Sequence, residues 1–450
     1  MDDFFKFIQE TWLLFVCLIF AVIVWKYNLL IDIVSLLGTF FLGYVAWKLW
    51  LHYVQQDFIS GIDWVLLEIV PPRDVDRSPA AMELFFTNAL YHWSFKGGVE
   101  EWWQGAVWFW YSLEIVSIDG QVHFYIRTPS RIKPLIETQM YAQYPQCQVK
   151  VVEDYTLGVD KISKESAWQL WGCEFKLLKH EAYPIKTYAD FGLDDDPKEE
   201  YKIDPISPTI EFFSSMGKGE QAWMQIVITP SKKKYKTKGT LFGDNNWVTE
   251  ARLEIEKMLA PYTRMHLRPD GSFAKEIRSP DFLKKVNEEM AKKVEKLGFD
   301  TGIRICYVAK KEAFNQNNRR AMRLLFRQYA MPSHNEFWRV NSTQPDNFGG
   351  KHGALTSEIF MSDAALTRAK DRMLTEYRER SFFHTPLRHN IPFPWPISPF
   401  IFPKYFHVNT FVLNVEELAT IWHFPGQILK VPTLERIESK EASPPTNLPT

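Results

Sequence analysis

The sequence predicts an α+β fold with an N-terminal transmembrane helical hairpin and two ferredoxin-like (split βαβ) units in tandem, the second carrying a helical insertion. Three observations predict it. Apolar runs of membrane-spanning length open the chain. A strand, helix, strand, strand, helix, strand order follows over residues 61–153. The same order returns over residues 171–340.

From Thr11 to Trp25 the chain reads TWLLFVCLIFAVIVW without a charge. After Lys26, Tyr27 and Asn28 a second apolar stretch runs from Leu29 to Trp50, interrupted by Asp32 and closed by Lys48. One helix over both stretches would far exceed the ~20 residues that a bilayer core needs, so two spans are expected with a turn near residues 26–32. Trp25, Lys26, Tyr27, Trp47 and Trp50 are amphipathic side chains placed where helix ends meet headgroups. A secretory signal does not fit, because Asp2, Asp3 and Glu10 spoil a basic leader and no small-x-small cleavage site follows.

In the first α/β unit, WVLLEIV (64–70) is a strand stopped by Pro71 and Pro72. Ser78 and Pro79 supply an N-cap and an N1 proline for a helix over residues 80–93. Strands at 108–116 and 121–127 meet at Ile118-Asp119-Gly120, a hairpin signal. Pro129 and Ser130 open a second helix that ends before Pro145, and residues 148–152 form the last strand. In the second unit, strands are expected at 171–178, 222–229, 301–309 and 336–340, and helices at 208–216 and 312–329. The insertion adds helices at 247–259 and 281–297. The expected organisation is a hairpin over 1–58, units over 59–160 and 165–341, and a tail over 357–450.

At 450 residues, with 46% apolar and 24% charged residues, the chain is globular material for two or three domains of ~150 residues each. The net charge of −1 supplies no overall pull toward nucleic acid. Cys17, Cys147, Cys173 and Cys306 are far apart and form no CxxC pair, which fits a reducing, cytoplasmic setting for the soluble part.

Signatures of chemistry are absent from the sequence. A phosphate-cradling loop needs a leading glycine and a hydroxyl after its lysine, whereas the nearest stretch, Gly349-Gly350-Lys351-His352, has Pro345 and His352 at those places. There is no HExxH or GxSxG, and His384, His389, His407 and His423 lack ligand spacing. No catalytic residue, cofactor or metal is therefore expected, and the chain is not expected to be an enzyme. Two basic groups offer contact with anionic lipid or nucleic acid. One is the loop tip with Lys232, Lys233, Lys234, Lys236 and Lys238; the other is Arg319, Arg323 and Arg327, one helix face at i, i+4, i+8. Asp194, Asp195, Asp196, Glu199 and Glu200 form an acidic counterpart.

In the tail, residues 367–383 read as a basic amphipathic helix, and residues 386–406 as a proline-rich extended stretch. Val412-Leu413-Asn414 then gives a short strand with an Asn N-cap, and residues 415–422 a helix stopped by Pro425 and Gly426. Glu416 and Glu417 occupy the first turn of that helix, where the dipole favours negative charge.

Four stretches, IDWVLLEIVPPRDVDRSPAAME (62–83), FWYSLEIVSIDGQVHFYIRTPS (109–130), FVLNVEELATIWHFPG (411–426) and PPTNLP (444–449), carry a resemblance. They are similar to an uncharacterised bacterial membrane-anchored domain family, found beside or fused to ATPases of the type IV secretion, conjugation-coupling and HerA/FtsK-like group. In fused members the motor begins soon after the equivalent of Asn447, Leu448 and Pro449. Here Thr450 ends the sequence. The resemblance implies a non-catalytic scaffold or coupling subunit in the bacterial inner membrane, docking a separately encoded P-loop ATPase. Its docking residues would be Leu413, Asn414, Glu417, Leu418, Trp422, His423, Phe424, Pro425 and Gly426. The lipid bilayer, that ATPase and a second copy of the chain are the partners implied, and a membrane-associated nucleic-acid-binding protein is the alternative.

Overall fold

Strands that are apolar on both faces need cover on both sides, and this requirement shapes the molecule. The computed structural model of the chain describes residues 19, 21–22, 29–72, 77–91, 98–194, 204–231, 234–236, 244–267, 273–277, 279–343, 363–384 and 410–426. These fall into two compact units, one within 1–61 and 96–107, the other within 62–95, 108–385 and 399–450.

The first unit holds helix α1 (Leu29–Ser60) and the short α3 (Gly98–Trp102). From Asp32 to Ser60, α1 is long and apolar enough to cross a membrane. The other expected span, 11–25, lies outside the described residues except for Ile19, Ala21 and Val22.

The second unit is built on a nine-stranded antiparallel sheet. Its first half contributes β1 (Trp64–Val70), β2 (Tyr111–Ile118), β3 (Gln121–Pro129) and β4 (Gln148–Val152), with α2 (Ala80–Phe85) and α4 (Lys133–Gln143) between them. The second half contributes β5 (Trp168–Leu177), β6 (Glu220–Pro230), β11 (Gly298–Lys310) and β12 (Phe337–Val340). Helices α5 (Ser207–Ser214) and α8 (Gln316–Met322) connect them. The strands run β12-β5-β11-β6-β2-β3-β1-β4, so each half places its fourth, first, third and second strand in that order. The second strands, β2 and β6, pair with each other from Tyr111↔Ile228 to Ile118↔Gln221 and join the halves into one sheet. Asp119 and Gly120, both at positive φ, close the β2–β3 hairpin.

Between β6 and β11 lie α6 (Trp247–Leu259) and α7 (Asp281–Glu295). Two small hairpins also occur there, β7 (Lys234–Lys236) with β8 (Asp244–Asn246) and β9 (Thr263–Leu267) with β10 (Phe273–Ile277). The sequence predicts two helices and a basic loop tip in this insertion, and β7 falls on that tip. After β12 come α9 (Asp363–Glu379), β13 (Phe411–Asn414) and α10 (Val415–Ile421).

Alternation along the strands divides the core. Leu67, Ile69, Leu113, Ile115, Phe124, Met224 and Ile305 face one side, with buried residues of α2, α4, α5 and α10. Leu66, Val116, Trp223, Cys306 and Val308 face the other, with Met373, Leu374 and Tyr377 of α9.

Two expected helices end early. Helix α2 changes after Phe85 into a π-turn over Phe86–Leu90, and the wider turn buries Phe86, Ala89 and Leu90 together. The expected helix over 312–329 spans only Gln316–Met322, followed by a 3-10 turn at Arg327–Tyr329. Phe326 and Tyr329 are buried there, and the Phe326 ring lies 4.6 Å from Phe175. Packing of these aromatics outweighs continuation of the helix.

Candidate functional site

The tail segment singled out by sequence is seated inside the core. β11 is longer than the stretch paired with β5, which begins at Ile303↔Phe175, leaving its first residues with a bare edge. β13 fills that edge, pairing Phe411↔Thr301 through Asn414↔Gly298. Asn414 then starts α10 with a reciprocal capping box. Its side chain accepts from the Glu417 amide at 2.8 Å, and Glu417 accepts from the Asn414 amide at 2.9 Å.

Glu417 also binds Lys293 of α7, Nζ to Oε2 at 3.0 Å, with both side chains buried. Its Oε1 accepts from the backbone amide of Ile185 at 2.9 Å. Burial raises the Glu417 pKa above its ordinary value, and Lys293 works against that rise. Beside this pair, Lys296 reaches Glu416 at 2.9 Å and Glu83 at 3.0 Å. Burial pulls the Lys296 pKa down, but its two carboxylate partners outweigh burial and leave it raised. At the C-terminal end of α10, the Trp422 ring lies 5.9 Å from Phe124, and the Phe424 ring lies 4.9 Å from Tyr144. His423 holds Asp204 at 3.0 Å through Nε2, and its Nδ1 lies 2.7 Å from the Ala419 carbonyl.

Leu413, Asn414, Glu417, Leu418, Trp422, His423, Phe424 and Pro425 are thus all buried, and Gly426 is half-buried. The surface they were expected to offer a partner is occupied by the chain's own core. The segment fastens the two halves of the sheet to each other, because its partners come from both: Phe124 and Tyr144 from the first, Lys293 and Ile185 from the second.

A second arrangement lies on the opposite face. Glu174, Arg304, Gln225 and Glu114 stand side by side on β5, β11, β6 and β2, and Tyr125, Glu68 and Lys150 continue the same row. Arg304 contacts Glu174 at 2.5 Å and Glu376 of α9 at 3.3 Å. Arg380, just after α9, donates from Nε to Glu114 at 2.9 Å and also binds Asp154. Tyr155 donates to Glu114 at 2.7 Å and lies 2.8 Å from the Tyr377 hydroxyl. Gln225 donates to both Glu114 and the Tyr377 carbonyl. Burial would raise Asp154, yet Arg380 holds it below the usual carboxylate range. Arg380 takes a φ of 50°, a left-handed conformation that turns the chain at the helix end and aims the guanidinium inward. Glu114, Glu174, Gln225 and Arg304 each stand between two apolar residues in the sequence, and strand register sets them in one row.

Arg319 lies within α8, Arg323 caps it and Arg327 lies in the following 3-10 turn, so the expected straight row is broken. The Arg323 guanidinium lies 5.7 Å from the Trp171 ring, on the body of the sheet. Lys234 and Lys236 fall on β7, whereas Lys232, Lys233 and Lys238 lie outside the described residues. Among the acidic counterparts, Asp194 is exposed and the rest lie outside the described residues. His389 and His407 also lie outside them, and the His384 ring sits 5.7 Å from Trp110.

One cluster draws its members from three distant segments, which no local sequence pattern links. Ligand atoms of Asp190, Glu289 and His334 lie within 4.8 Å of one another. Each already has a protein partner: His334 pairs with Glu289 at 2.9 Å and Ser333 at 2.8 Å, and Asp190 caps the 3-10 turn beginning at Tyr188 by accepting from the Thr187 amide. Burial pushes the Cys147 and Cys306 thiols up to about 12, so neither supplies a thiolate at neutral pH.

Residues 62–350 match a family described as a domain of unknown function, DUF8128. The chain belongs to that family. The DUF8128 match covers β1 through β12 and stops before α9, β13 and α10, although those three elements complete both faces of the same sheet. No curated protein matches the chain.

Proposed function

We propose that the chain is a non-catalytic, membrane-anchored scaffold or coupling subunit of a type IV secretion or conjugation-like translocation apparatus. It works with a P-loop ATPase supplied by another polypeptide. In this reading α1 is one span of a two-span anchor in the bacterial inner membrane, and the sheet faces the cytoplasm. The two halves of the sheet are two ferredoxin-like units, a reading supported by their shared strand order and alternating helices.

The observation that carries the proposal is the seating of residues 411–426 in both halves of the core. Force or displacement applied to whatever follows Gly426 passes into the sheet through β13 and the buried Lys293–Glu417 pair. A mechanical coupler needs this property, and a loosely tethered tail would lack it. In this reading the side chains between Leu413 and Pro425 hold the tail to the sheet, and the docking role falls to residues 427–450.

The test is detergent extraction of the full chain from its native membranes under carbonate-resistant conditions, followed by identification of co-purifying proteins. A P-loop ATPase recovered in fixed proportion supports the proposal. Recovery of the chain in the soluble fraction contradicts the anchor, and recovery from the membrane without any such ATPase contradicts the coupling role.

A further inference from the structure

The loop between α2 and β2 carries a short amphipathic turn with no apolar core of its own. On α3 and the residue after it, Val99, Trp102 and Trp103 fall at i, i+3, i+4, one helical face. They are 72%, 53% and 68% exposed. Glu100, Glu101 and Gln104 occupy the other face and are exposed as well.

The tryptophans are not placed at random. Trp102 lies 5.6 Å from Trp47 and Trp103 lies 5.8 Å from Trp50, both on α1. Trp50 in turn lies 6.3 Å from Tyr53. From Leu29 to Trp50 the helix rises about 32 Å at ~1.5 Å per residue, close to the ~30 Å hydrocarbon core of a bilayer. Trp47, Trp50 and Tyr53 therefore stand where an aromatic belt meets the headgroups. Gly105 fixes the loop at that level. It has a φ of +66°, and a Cβ there would lie 2.6 Å from the Gln55 amide nitrogen, so only glycine allows the loop backbone to lie against α1.

We infer that Val99, Trp102 and Trp103 form a second membrane contact, lying in the interface between headgroups and acyl chains beside the end of α1. The occupant of this exposed face is lipid, because the face continues an aromatic belt at the depth that the length of α1 sets. Glu100, Glu101 and Gln104 then point toward water, as an interfacial amphipathic helix requires. The inference rests on α1 being a membrane span.

The test uses the full chain reconstituted in phosphatidylethanolamine–phosphatidylglycerol vesicles. Val99→Cys and Glu100→Cys are made separately in a Cys17→Ser background, where the three other thiols are buried. Each variant is labelled with an environment-sensitive nitrobenzoxadiazole probe. The expected result is blue-shifted emission from position 99, quenched several-fold more strongly than position 100 by lipids brominated high on the acyl chain. Equal behaviour at the two positions, quenched or not, in vesicles that keep the protein through carbonate washing overturns the inference while leaving the span intact. Loss of the protein to the carbonate wash overturns the span and the interfacial contact together.

Discussion

Lys293 of α7 and Glu417 of α10 form an ion pair at 3.0 Å with essentially no solvent exposure on either side chain. The pair joins the insertion of the second half to the end of the tail. Each charge has left water, so its stability depends on the other remaining in place.

Removing one partner leaves the other charge buried and uncompensated. Glu417→Ala is expected to destabilise the detergent-solubilised chain by about 3–5 kcal/mol. It also breaks the capping box on Asn414. Replacing both residues with apolar ones of similar volume, Lys293→Met with Glu417→Leu, is expected to recover much of the loss. Chemical denaturation of the three proteins checks this, and a double variant no better than the single one contradicts it.

The opposite face depends on Arg380. Arg380→Ala strands Glu114 beneath α9 and is expected to cost about 3–5 kcal/mol. The loss should be local before it is global, because α9 packs on the sheet through Met373, Leu374 and Tyr377 and this polar row. Hydrogen exchange should show faster exchange across α9 than across β2 or β6. Uniform acceleration over the whole sheet contradicts a local role.

Acid sensitivity has a definite sign. Asp154 and Asp204 are both half-buried, yet Arg380 and His423 hold their pKa values below the ordinary aspartate value of 3.8. Such groups favour folding above the unfolded value, and that contribution is lost as pH falls through the folded one. Stability is therefore expected to drop as pH falls below about 3.8. Glu417 acts in the other direction. Its raised pKa makes stability fall as pH rises from 4.5 through its folded value. Melting curves across this range should lose part of the acid limb in Asp154→Asn.

Gly302 lies where the Phe382 ring crosses β11, and a Cβ there would meet the ring Cδ2 at 2.7 Å. Gly302→Ala is expected to destabilise by about 1–3 kcal/mol through overpacking. Phe382→Leu in the same chain should relieve part of the cost. Thermal melting of the single and double variants checks it.

Local signals in the sequence were strong enough to place several elements. The spans of β1, β4 and α6 coincide with those read from sequence, because prolines, turn residues and apolar alternation mark their ends. The Asn414 cap was legible for the same reason, since a capping box is written within four residues. The fate of residues 411–426 was not. Whether an apolar amphipathic segment binds a partner or its own core depends on the bare edge of β11, and nothing near residue 411 in the sequence reports that edge. The Asp190–Glu289–His334 group and the polar row are likewise products of register and tertiary approach. The early end of α8 reflects the burial of Phe326 and Tyr329, which overrides the helical spacing of the three arginines.

The coupling role is tested most directly by comparing the full chain with a chain ended after Gly426, both purified in detergent from their native membranes. This truncation keeps β13 and α10 and therefore the core. The account predicts that both proteins fold with the same melting temperature and that only the full chain brings down a P-loop ATPase. Equal recovery of the ATPase by the two proteins contradicts a docking role for residues 427–450. Its absence from both contradicts the coupling function itself.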